Sequence, residues 1–329
     1  MNYYLGVDAG GTKTYAIITD ESGRWLASGT SGPGNHQINA DIANANIKAA
    51  VFQALNHVHL QPADIRVAWF GLAGADREAD YRVLTPMIQQ FGFPDFHIVC
   101  DTIIAMRAGT TKSYGAVLVC GTGMNAAGIG KQGETVQCGG FGYSFGDFGG
   151  GEELSIEAFR TVIRAWEGRG MPTLLTGLIP QALGYGSVAE MFHSFLDHHK
   201  RIPSDLTKLI FDAAAREDNA AIQILQRQGT ELGLSARAVI ERLQLQGENF
   251  DLVLAGSVLT KGSSEFIHPY ISKEVLEVAP GCQLKLLTVE PVVGSILLAM
   301  EKDGITITSS IYEKLDEIAD IKGVVCNGK

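Results

Sequence analysis

The chain has 329 residues, of which 46% are hydrophobic, and a chain of this length is expected to fold as two domains. Its net charge of −10, from 36 acidic and 26 basic side chains, argues against a nucleic-acid partner because binding a phosphate backbone needs a basic face. The first residues do not resemble a signal sequence, and there is no apolar stretch of the roughly 18–20 residues that cross a bilayer. We therefore expect a cytoplasmic protein without a membrane partner. The five cysteines include no CxxC pair, so we expect neither a disulfide framework nor a zinc knuckle.

Hydrophobic patterning predicts eight elements in the first part of the chain. Three strands joined by hairpins come first, and helices then alternate with strands. The predicted strands are residues 3–7, 14–19, 24–28, 65–72 and 96–100, and the predicted helices are 41–56, 76–91 and one that begins at Thr102. The order is therefore βββαβαβα.

The second half of the chain starts again in the same order. Its predicted elements are strands at 114–119, after the turn GTGMN and in TVQCGG, a long helix at 219–244, a strand at 251–255, a helix at 260–278, a strand at 283–287 and a helix at 292–300. Two βββαβα halves indicate a duplicated α/β domain. We predict domains of residues 1–113 and 114–304, the second with a helical insertion, and a C-terminal helix within 305–329 that packs back on the first. Two such sheets facing each other would leave a cleft between them.

The turn between the first two strands reads DAGGTKT, and its composition suits an anion. Glycines in a turn allow positive φ and a close approach of backbone to ligand, and successive amides form an anion-binding concavity. The expected phosphate contacts are Gly10, Gly11, Thr12, Lys13 and Thr14. Asp8 would hold Mg²⁺, because hard cations prefer carboxylate oxygen. A plain glycine-rich hairpin is the alternative.

Two further segments carry glycine where a nucleotide could bind. The turn CGTGMN has the same place in the second half, and its Gly121, Thr122 and Gly123 would bind phosphate from the other side. In VLAGSVL, a buried strand ends at Gly256 and Ser257 before a helix, which lets a flat ligand approach the helix N-terminus. A simple strand–helix turn explains this last segment equally well.

These three elements, in this order, resemble the nucleotide-binding signature of the sugar kinase, heat-shock ATPase and actin superfamily. Within it, GVDAGGTKT, GLAGAD, CGTGMN, CGGFGYSFGDFGGG and LAGSV resemble the N-acetylglucosamine kinase branch, which also contains ATPase activators of acyl-CoA reductases and dehydratases. The resemblance runs from residue 5 to about residue 299. It implies two ribonuclease H-like, actin-like ATPase domains with a cleft between them, ATP and Mg²⁺ as cofactors, and phosphorylation of an amino sugar at the 6-hydroxyl.

The resemblance also implies roles for individual residues. It makes Asp101 the general base that accepts the proton of the sugar hydroxyl, although a helix N-cap is an equally good explanation from the sequence alone. Asn35 corresponds to a sugar-binding asparagine in a glycine- and proline-rich loop. The remaining expected sugar contacts are Gly71, Gly74, Asn125, Gly139, Gly140, Phe141 and Asp147.

Two positions depart from the family pattern. Animal N-acetylglucosamine kinases carry Trp where this chain has Phe141 and Ser where it has Ala73, so specificity stays open among N-acetylglucosamine, N-acetylmuramic acid and glucosamine. An activator ATPase is a further alternative, but it would need paired cysteines for an iron–sulfur cluster. The resemblance also implies a homodimer.

The possible metal pair His193 and Asp197 has no third ligand nearby in sequence, and we interpret residues 312–320 as an acidic surface helix.

Overall fold

The computed structural model of the protein describes residues 1–261 and 264–320. Its contacts divide the chain into two compact units. Unit 1 comprises residues 1–117 together with 287–329, and unit 2 comprises residues 118–286. Among the described residues, no helix is both long enough and apolar enough to cross a bilayer.

The described residues form ten strands and twelve α-helices. The strands are β1 (Tyr3–Ala9), β2 (Thr14–Asp20), β3 (Trp25–Ser31), β4 (Ile65–Leu72), β5 (Phe96–Cys100), β6 (Gly115–Cys120), β7 (Met124–Ile129), β8 (Thr135–Gly139), β9 (Asp251–Ala255) and β10 (Gln283–Leu286). The helices are α1 (Ala40–His57), α2 (Glu78–Gln89), α3 (Asp101–Gly109), α4 (Gly151–Trp166), α5 (Leu175–Ala182), α6 (Val188–Asp197), α7 (Thr207–Ala214), α8 (Asn219–Arg242), α9 (Ser257–Lys261), α10 (His268–Val278), α11 (Val292–Lys302) and α12 (Ser309–Asp316).

The two sheets share one strand order. The first runs β3-β2-β1-β4-β5, and the second runs β8-β7-β6-β9-β10. In the first sheet β1 pairs antiparallel with β2 and parallel with β4, and β4 pairs parallel with β5. In the second, β7 and β8 are antiparallel and β9 and β10 are parallel. The predicted duplication of an α/β domain is therefore confirmed.

The core of unit 1 lies on both faces of its sheet. Leu5 and Val7 of β1 pack with α1 on one face, whereas Tyr4 packs with residues of α11 and α12 on the other. On that second face the Ser295 hydroxyl of α11 donates to the Val7 carbonyl at 2.9 Å. Helices therefore cover both faces of this mixed sheet, as is usual where parallel strands such as β1, β4 and β5 are present.

The packing of α11 changes the predicted domain limits. We expected the second domain to run to residue 304, but α11 contributes buried side chains to the core of unit 1. The described part of the C-terminal segment also packs there, through Ile311 and Leu315. Residues 321–329 of the predicted C-terminal helix, which include Cys326, lie outside the described residues.

One predicted helix is divided in the structure. In place of a single helix at 260–278, unit 2 has the short α9 and a separate α10. Pro269 occupies the first turn of α10, where its missing N–H costs no hydrogen bond. A proline in that place marks a helix start, and the sequence reading did not use this signal.

Candidate active site

The β1–β2 hairpin carries the first glycine turn. The Gly10 amide donates to the Lys13 carbonyl at 2.9 Å and closes the turn. Neither Gly10 nor Gly11 has positive φ, so the turn does not use the left-handed conformation that glycine allows. A Cβ added at Gly11 would meet no atom within 4 Å. Neither packing nor backbone conformation therefore explains this glycine, and an approaching ligand would.

Asp8 and Asp101 are brought near each other at the carboxyl ends of β1 and β5. Burial, and secondly the negative charge of Asp101, raise the pKa of Asp8 to about 7, while Lys13 acts in the opposite direction. Burial raises the pKa of Asp101 to about 6. A buried carboxyl group whose pKa is raised further by a neighbouring carboxylate belongs to a site that favours a cation or a proton.

The residues of this site suit a Mg²⁺ ion that is held by few protein ligands. Among the described residues, no group of three His, Cys, Asp or Glu side chains is arranged to hold a metal ion. Mg²⁺ usually keeps several waters and binds through one or two carboxylates together with substrate phosphates. Asp8 fits that pattern, because burial and the nearby charge of Asp101 both raise its pKa, and a bound cation would offset both effects.

Lys13 and Thr14 of the turn differ in their exposure to solvent. Lys13 is 43% exposed, and its Nζ lies 3.7 Å from Glu290 and 4.2 Å from the centre of the Tyr15 ring. Thr14 is completely buried, and its hydroxyl donates to the Gly32 carbonyl at 2.9 Å. We therefore no longer propose Thr14 as a phosphate contact, because its hydroxyl braces the hairpin against the loop after β3.

Asn35 and Gly74 are brought together in unit 1. A Cβ added at Gly74, whose φ is +80°, would lie 3.0 Å from Oδ1 of Asn35. That oxygen accepts a hydrogen bond from the Gln37 backbone amide at 2.9 Å, so the Asn35 side chain is held in one orientation. The two loops that carry these residues are joined by a hydrogen bond from Nε2 of Gln37 to the Gly74 carbonyl.

A buried carboxylate that the sequence reading missed holds this pair of loops. Asp80 accepts hydrogen bonds from the Arg77 guanidinium and from Gln37, and its Oδ1 lies 3.2 Å from Nε2 of His36. These contacts, with Arg77 the strongest, hold the pKa of Asp80 well below its usual range. The network fixes the position of Asn35 without touching a ligand itself.

Gly71 has a structural role. A Cβ at this position would lie 2.2 Å from Cδ1 of Ile104, so α3 packs directly against β4 because residue 71 lacks a side chain. We therefore no longer propose Gly71 as a sugar contact.

The second glycine turn, in unit 2, lies against the start of α4. The Gly121 amide donates to the Gly123 carbonyl at 2.9 Å, and the Gly121 carbonyl accepts the Gly151 amide at 2.8 Å. A Cβ at Gly121 or Gly123 would meet nothing within 4 Å. As in the first half, the glycines of this turn leave open space next to the backbone.

A cavity of about 330 Å³ adjoins this turn. It is lined by Gly121, Thr122, Gly151, Ser204, Asp205, Thr207, Lys208, Phe211, Ser257, Val258 and Lys261. Two segments that the sequence reading singled out separately, the second glycine turn and the Gly256–Ser257 junction, therefore meet around one cavity. Gly256, with φ of +87°, has no room for a side chain because a Cβ would lie 2.2 Å from the Cys120 carbonyl oxygen. Its role is to turn the chain so that Ser257 lines the cavity.

The sequence reading missed the lysines of this cavity. Lys208 lies on α7 and Lys261 at the end of α9, and both are exposed. No ion pair of either lysine is found among the described residues. Lys208 belongs to the helical insertion, where no motif distinguishes it from an ordinary surface lysine.

The loop between β8 and α4 groups the remaining expected sugar contacts. Asn125 pairs with Gly139 across β7 and β8, and a Cβ at Gly140 would lie 2.8 Å from Nδ2 of Asn125. Oδ1 of Asn125 is buried and has no hydrogen-bond partner among the described residues. Phe141 is 46% exposed on the same loop. Unit 2 therefore places Asn125, Gly139, Gly140 and Phe141 in one neighbourhood.

Asp147 organises this loop. The carboxylate is 7% exposed, and its Oδ2 accepts three backbone amides, from Gly140 at 3.0 Å, Phe141 at 2.7 Å and Gly142 at 2.6 Å. We therefore propose a structural role for Asp147 in place of the expected role as an acceptor for sugar hydroxyls. Its Oδ2, which already accepts three hydrogen bonds, has little capacity left for a ligand.

Comparison with known proteins gives these residues a context. Residues 5–299 match the profile described as the BadF/BadG/BcrA/BcrD ATPase family. The N-acetylmuramic acid/N-acetylglucosamine kinase of Clostridium acetobutylicum is 28% identical over 263 residues, which are 79% of this chain and 86% of the relative. The N-acetyl-D-glucosamine kinase of Dictyostelium discoideum is 27% identical over 90% of this chain and 97% of its own length.

Solved structures share the fold. A candidate N-acetylglucosamine kinase of Chromobacterium violaceum superposes with a TM-score of 0.68 at 20% identity, covering 91% of this chain and 99% of that one. A glucokinase of Streptomyces griseus, in complex with glucose and AMPPNP, gives a TM-score of 0.59 at 18% identity, covering 91% and 100%. The predicted two-domain α/β fold of sugar kinases and actin-like ATPases is confirmed.

Proposed function

The chain belongs to the BadF/BadG/BcrA/BcrD ATPase family, and on that basis we propose that it is an ATP-dependent amino-sugar kinase. The structural observation that carries the proposal is the cavity of unit 2, where the second glycine turn and the Gly256–Ser257 junction meet. The names of the curated relatives, which are kinases of amino sugars, support the choice of substrate class.

The cavity in unit 2 suits a nucleotide. Its volume of about 330 Å³ and its lining, which combines Phe211 and Val258 with Thr122, Ser204 and Ser257, are typical of a small-molecule site. Thr122 and the amides of its turn would bind phosphate oxygens. Lys208 and Lys261 would supply the positive charge that the turn itself lacks.

Asp101 is the proposed base of the transfer. As the sugar hydroxyl oxygen forms its bond to the γ-phosphorus, the bond from that phosphorus to the bridging oxygen breaks and ADP leaves with the electron pair. The proton of the hydroxyl passes to the carboxylate of Asp101. Asp8 would hold Mg²⁺, which when bound neutralises charge on the phosphates. With a pKa of about 6, Asp101 is mostly ionised at neutral pH and can accept this proton.

The sugar contacts that we propose are the residues that the structure leaves available. In unit 1 these are Asn35 and Gly74, and in unit 2 they are Asn125, Gly139, Gly140 and Phe141. An amide that both donates and accepts suits sugar hydroxyls and an acetamido group. We propose N-acetylglucosamine as the substrate and the 6-hydroxyl as the acceptor, with N-acetylmuramic acid and glucosamine as the alternatives.

A coupled ADP-release assay over the three sugars tests this proposal. We expect N-acetylglucosamine to stimulate ADP release most, and Asp101→Asn to abolish the stimulation while sugar binding, measured by calorimetry, stays near that of the wild type. ADP release that no amino sugar stimulates would favour the alternative of an activator ATPase.

We also propose a homodimer in a reducing compartment. The four described cysteines, Cys100, Cys120, Cys138 and Cys282, are not in disulfide bonds, which suits the cytoplasm. Light scattering coupled to size-exclusion chromatography checks the dimer, and a monomer mass would contradict it.

A further inference from the structure

The ammonium group of Lys13 lies between an aromatic ring and a carboxylate. Its Nζ is 4.2 Å from the centre of the Tyr15 ring and 3.7 Å from Oε2 of Glu290. Tyr15 belongs to β2, whereas Glu290 precedes α11, so the two partners come from distant parts of the sequence. Neither partner was among the residues expected from the sequence.

The fold of unit 1 fixes both partners of this lysine. Tyr15 pairs with Asp8 across β1 and β2, and directly opposite residues of an antiparallel pair have their side chains on the same face of the sheet. Tyr15 also packs against the core that α11 and α12 share. The carbonyl of Glu290 accepts the Val293 amide at 3.0 Å, which attaches residue 290 to the first turn of α11.

We propose that Tyr15 and Glu290 are positioning residues that hold Lys13 beside the first glycine turn, where its ammonium group contacts a phosphate of the bound nucleotide. A lysine side chain loses rotamer freedom when it binds a ligand, and a side chain that is already held loses less. This inference rests on the proposed function, because it needs a nucleotide at this turn.

The two contacts hold Lys13 and leave its ammonium group able to bind a ligand. An aromatic face attracts a cation through its quadrupole, so no N–H has to point at a single acceptor atom. A distance of 3.7 Å is longer than a hydrogen bond, so the contact with Glu290 is one of charge. The lysine side chain is also 43% exposed. Lys13 can therefore bind a phosphate oxygen while it stays next to the ring.

Calorimetric binding of AMPPNP in the presence of Mg²⁺ is the first test, with Tyr15→Phe as the matched control for Tyr15→Leu. Tyr15→Phe keeps the aromatic face and should bind like the wild type. Tyr15→Leu should have a Kd about threefold higher, as expected for the loss of a partly exposed cation–π contact. Equal Kd values of the two variants would overturn the role of the ring. A lower Kd of Tyr15→Leu would also overturn it, because the ring would then hold the lysine away from the nucleotide.

A double-mutant cycle separates the positioning of Lys13 from an effect on the fold. In a Lys13→Ala background, Tyr15→Leu should leave the Kd unchanged, because there is no lysine to position. An effect of the same size in both backgrounds would overturn the inference.

Glu290→Gln removes a negative charge as well as a contact, so its effect is compared between the same two backgrounds. We expect it to be about threefold less favourable for AMPPNP binding when Lys13 is present than when it is replaced by alanine. Glu313→Gln, at an exposed position of α12, is the matched control and should bind like the wild type. Equal effects of Glu290→Gln in the two backgrounds would overturn the role of Glu290.

NMR of the lysine side chain tests the geometry without turnover. Reductive methylation with isotope-labelled formaldehyde labels the lysines and keeps their charge, and Lys13→Arg identifies the signal of Lys13. A methyl group above an aromatic ring resonates upfield, so we expect an upfield signal in the wild type and in Tyr15→Phe but not in Tyr15→Leu. The signal should stay upfield when AMPPNP and Mg²⁺ are added. Its return to the ordinary position would overturn the inference, because Lys13 would then leave the ring.

The binding and NMR experiments need no sugar, so their outcome is separate from that of the proposed function. The expected Kd values and Lys13 signal, in a chain that phosphorylates no amino sugar, would uphold the positioning of Lys13 and contradict the proposed function. An amino-sugar kinase in which Tyr15→Leu and Tyr15→Phe bind AMPPNP equally well would uphold the proposed function and overturn this inference.

Discussion

Replacing Asp147 by alanine removes the acceptor around which the β8–α4 loop is built. Oδ2 of this buried carboxylate binds the amides of Gly140, Phe141 and Gly142 at 3.0, 2.7 and 2.6 Å. A hydrogen bond to a charged group contributes about 1.5–3 kcal/mol. Water can replace part of this in an exposed loop, so we expect a net loss of about 3 kcal/mol for the closed loop. That loss corresponds to a roughly hundredfold larger equilibrium constant for opening of the loop.

Hydrogen exchange of these three amides in the ligand-free protein measures the effect. We expect about a hundredfold faster exchange in Asp147→Ala and about tenfold in Asp147→Asn, because a neutral acceptor is roughly half as strong. The free energy of global unfolding should fall by less, since loops open locally. Glu152→Ala, an exposed acidic residue at the start of α4, is the matched control.

The exchange rates decide between two roles for Asp147. Unchanged protection of the loop amides in Asp147→Ala, together with a large rise in the sugar KM, would refute the structural role. It would restore the direct sugar contact that the sequence suggested.

Three further predictions concern charge and packing. Lys208→Ala and Lys261→Ala should each raise KM for ATP about tenfold with the sugar KM unchanged in steady-state assays; an unchanged ATP KM in both would remove the lysines from the site. The folded-state pKa of Asp8, about 7 against a usual 3.8, means that folding loses stability as pH rises between these values. Thermal melts should therefore show more stabilisation by Mg²⁺ at pH 8 than at pH 5, and Asp8→Asn should abolish the difference. Gly294→Ala, whose Cβ would meet the Ile104 carbonyl oxygen, should cost about 1–3 kcal/mol of unfolding free energy in urea titrations, whereas the open helix position Gly177→Ala should be neutral or stabilising.

Local sequence patterns were sufficient for the strands and for the repeat. Strands β4, β5 and β9 have their predicted bounds. β5 and β9 are apolar runs that end directly before Asp101 and Gly256. Local sequence patterns could not predict which unit α11 packs against. Its apolar residues fit either unit, and only the packed structure shows that they cover the same sheet face as Tyr4.

Some of the site residues could likewise be predicted from local sequence, whereas others depend on the tertiary fold. The two glycine turns were recognisable because a similar Gly/Thr sequence occurs at the same place in each half of the chain. The sequence did not show that Thr14 and Asp147 bind backbone atoms. A threonine or aspartate that binds the backbone cannot be distinguished by sequence from one that binds a ligand. Lys208 could not be found either, since its nearness to Thr122 and Ser257 arises from the folding of the helical insertion.

The central claim is the transfer of phosphate from ATP to the hydroxyl of an amino sugar. Phosphorus NMR of a reaction containing the protein, ATP, Mg²⁺ and N-acetylglucosamine tests it directly. We predict a new phosphate monoester coupled to the protons on carbon 6, formed in equal amount to ADP. Inorganic phosphate as the only new product, released at the same rate with and without the sugar, would contradict it.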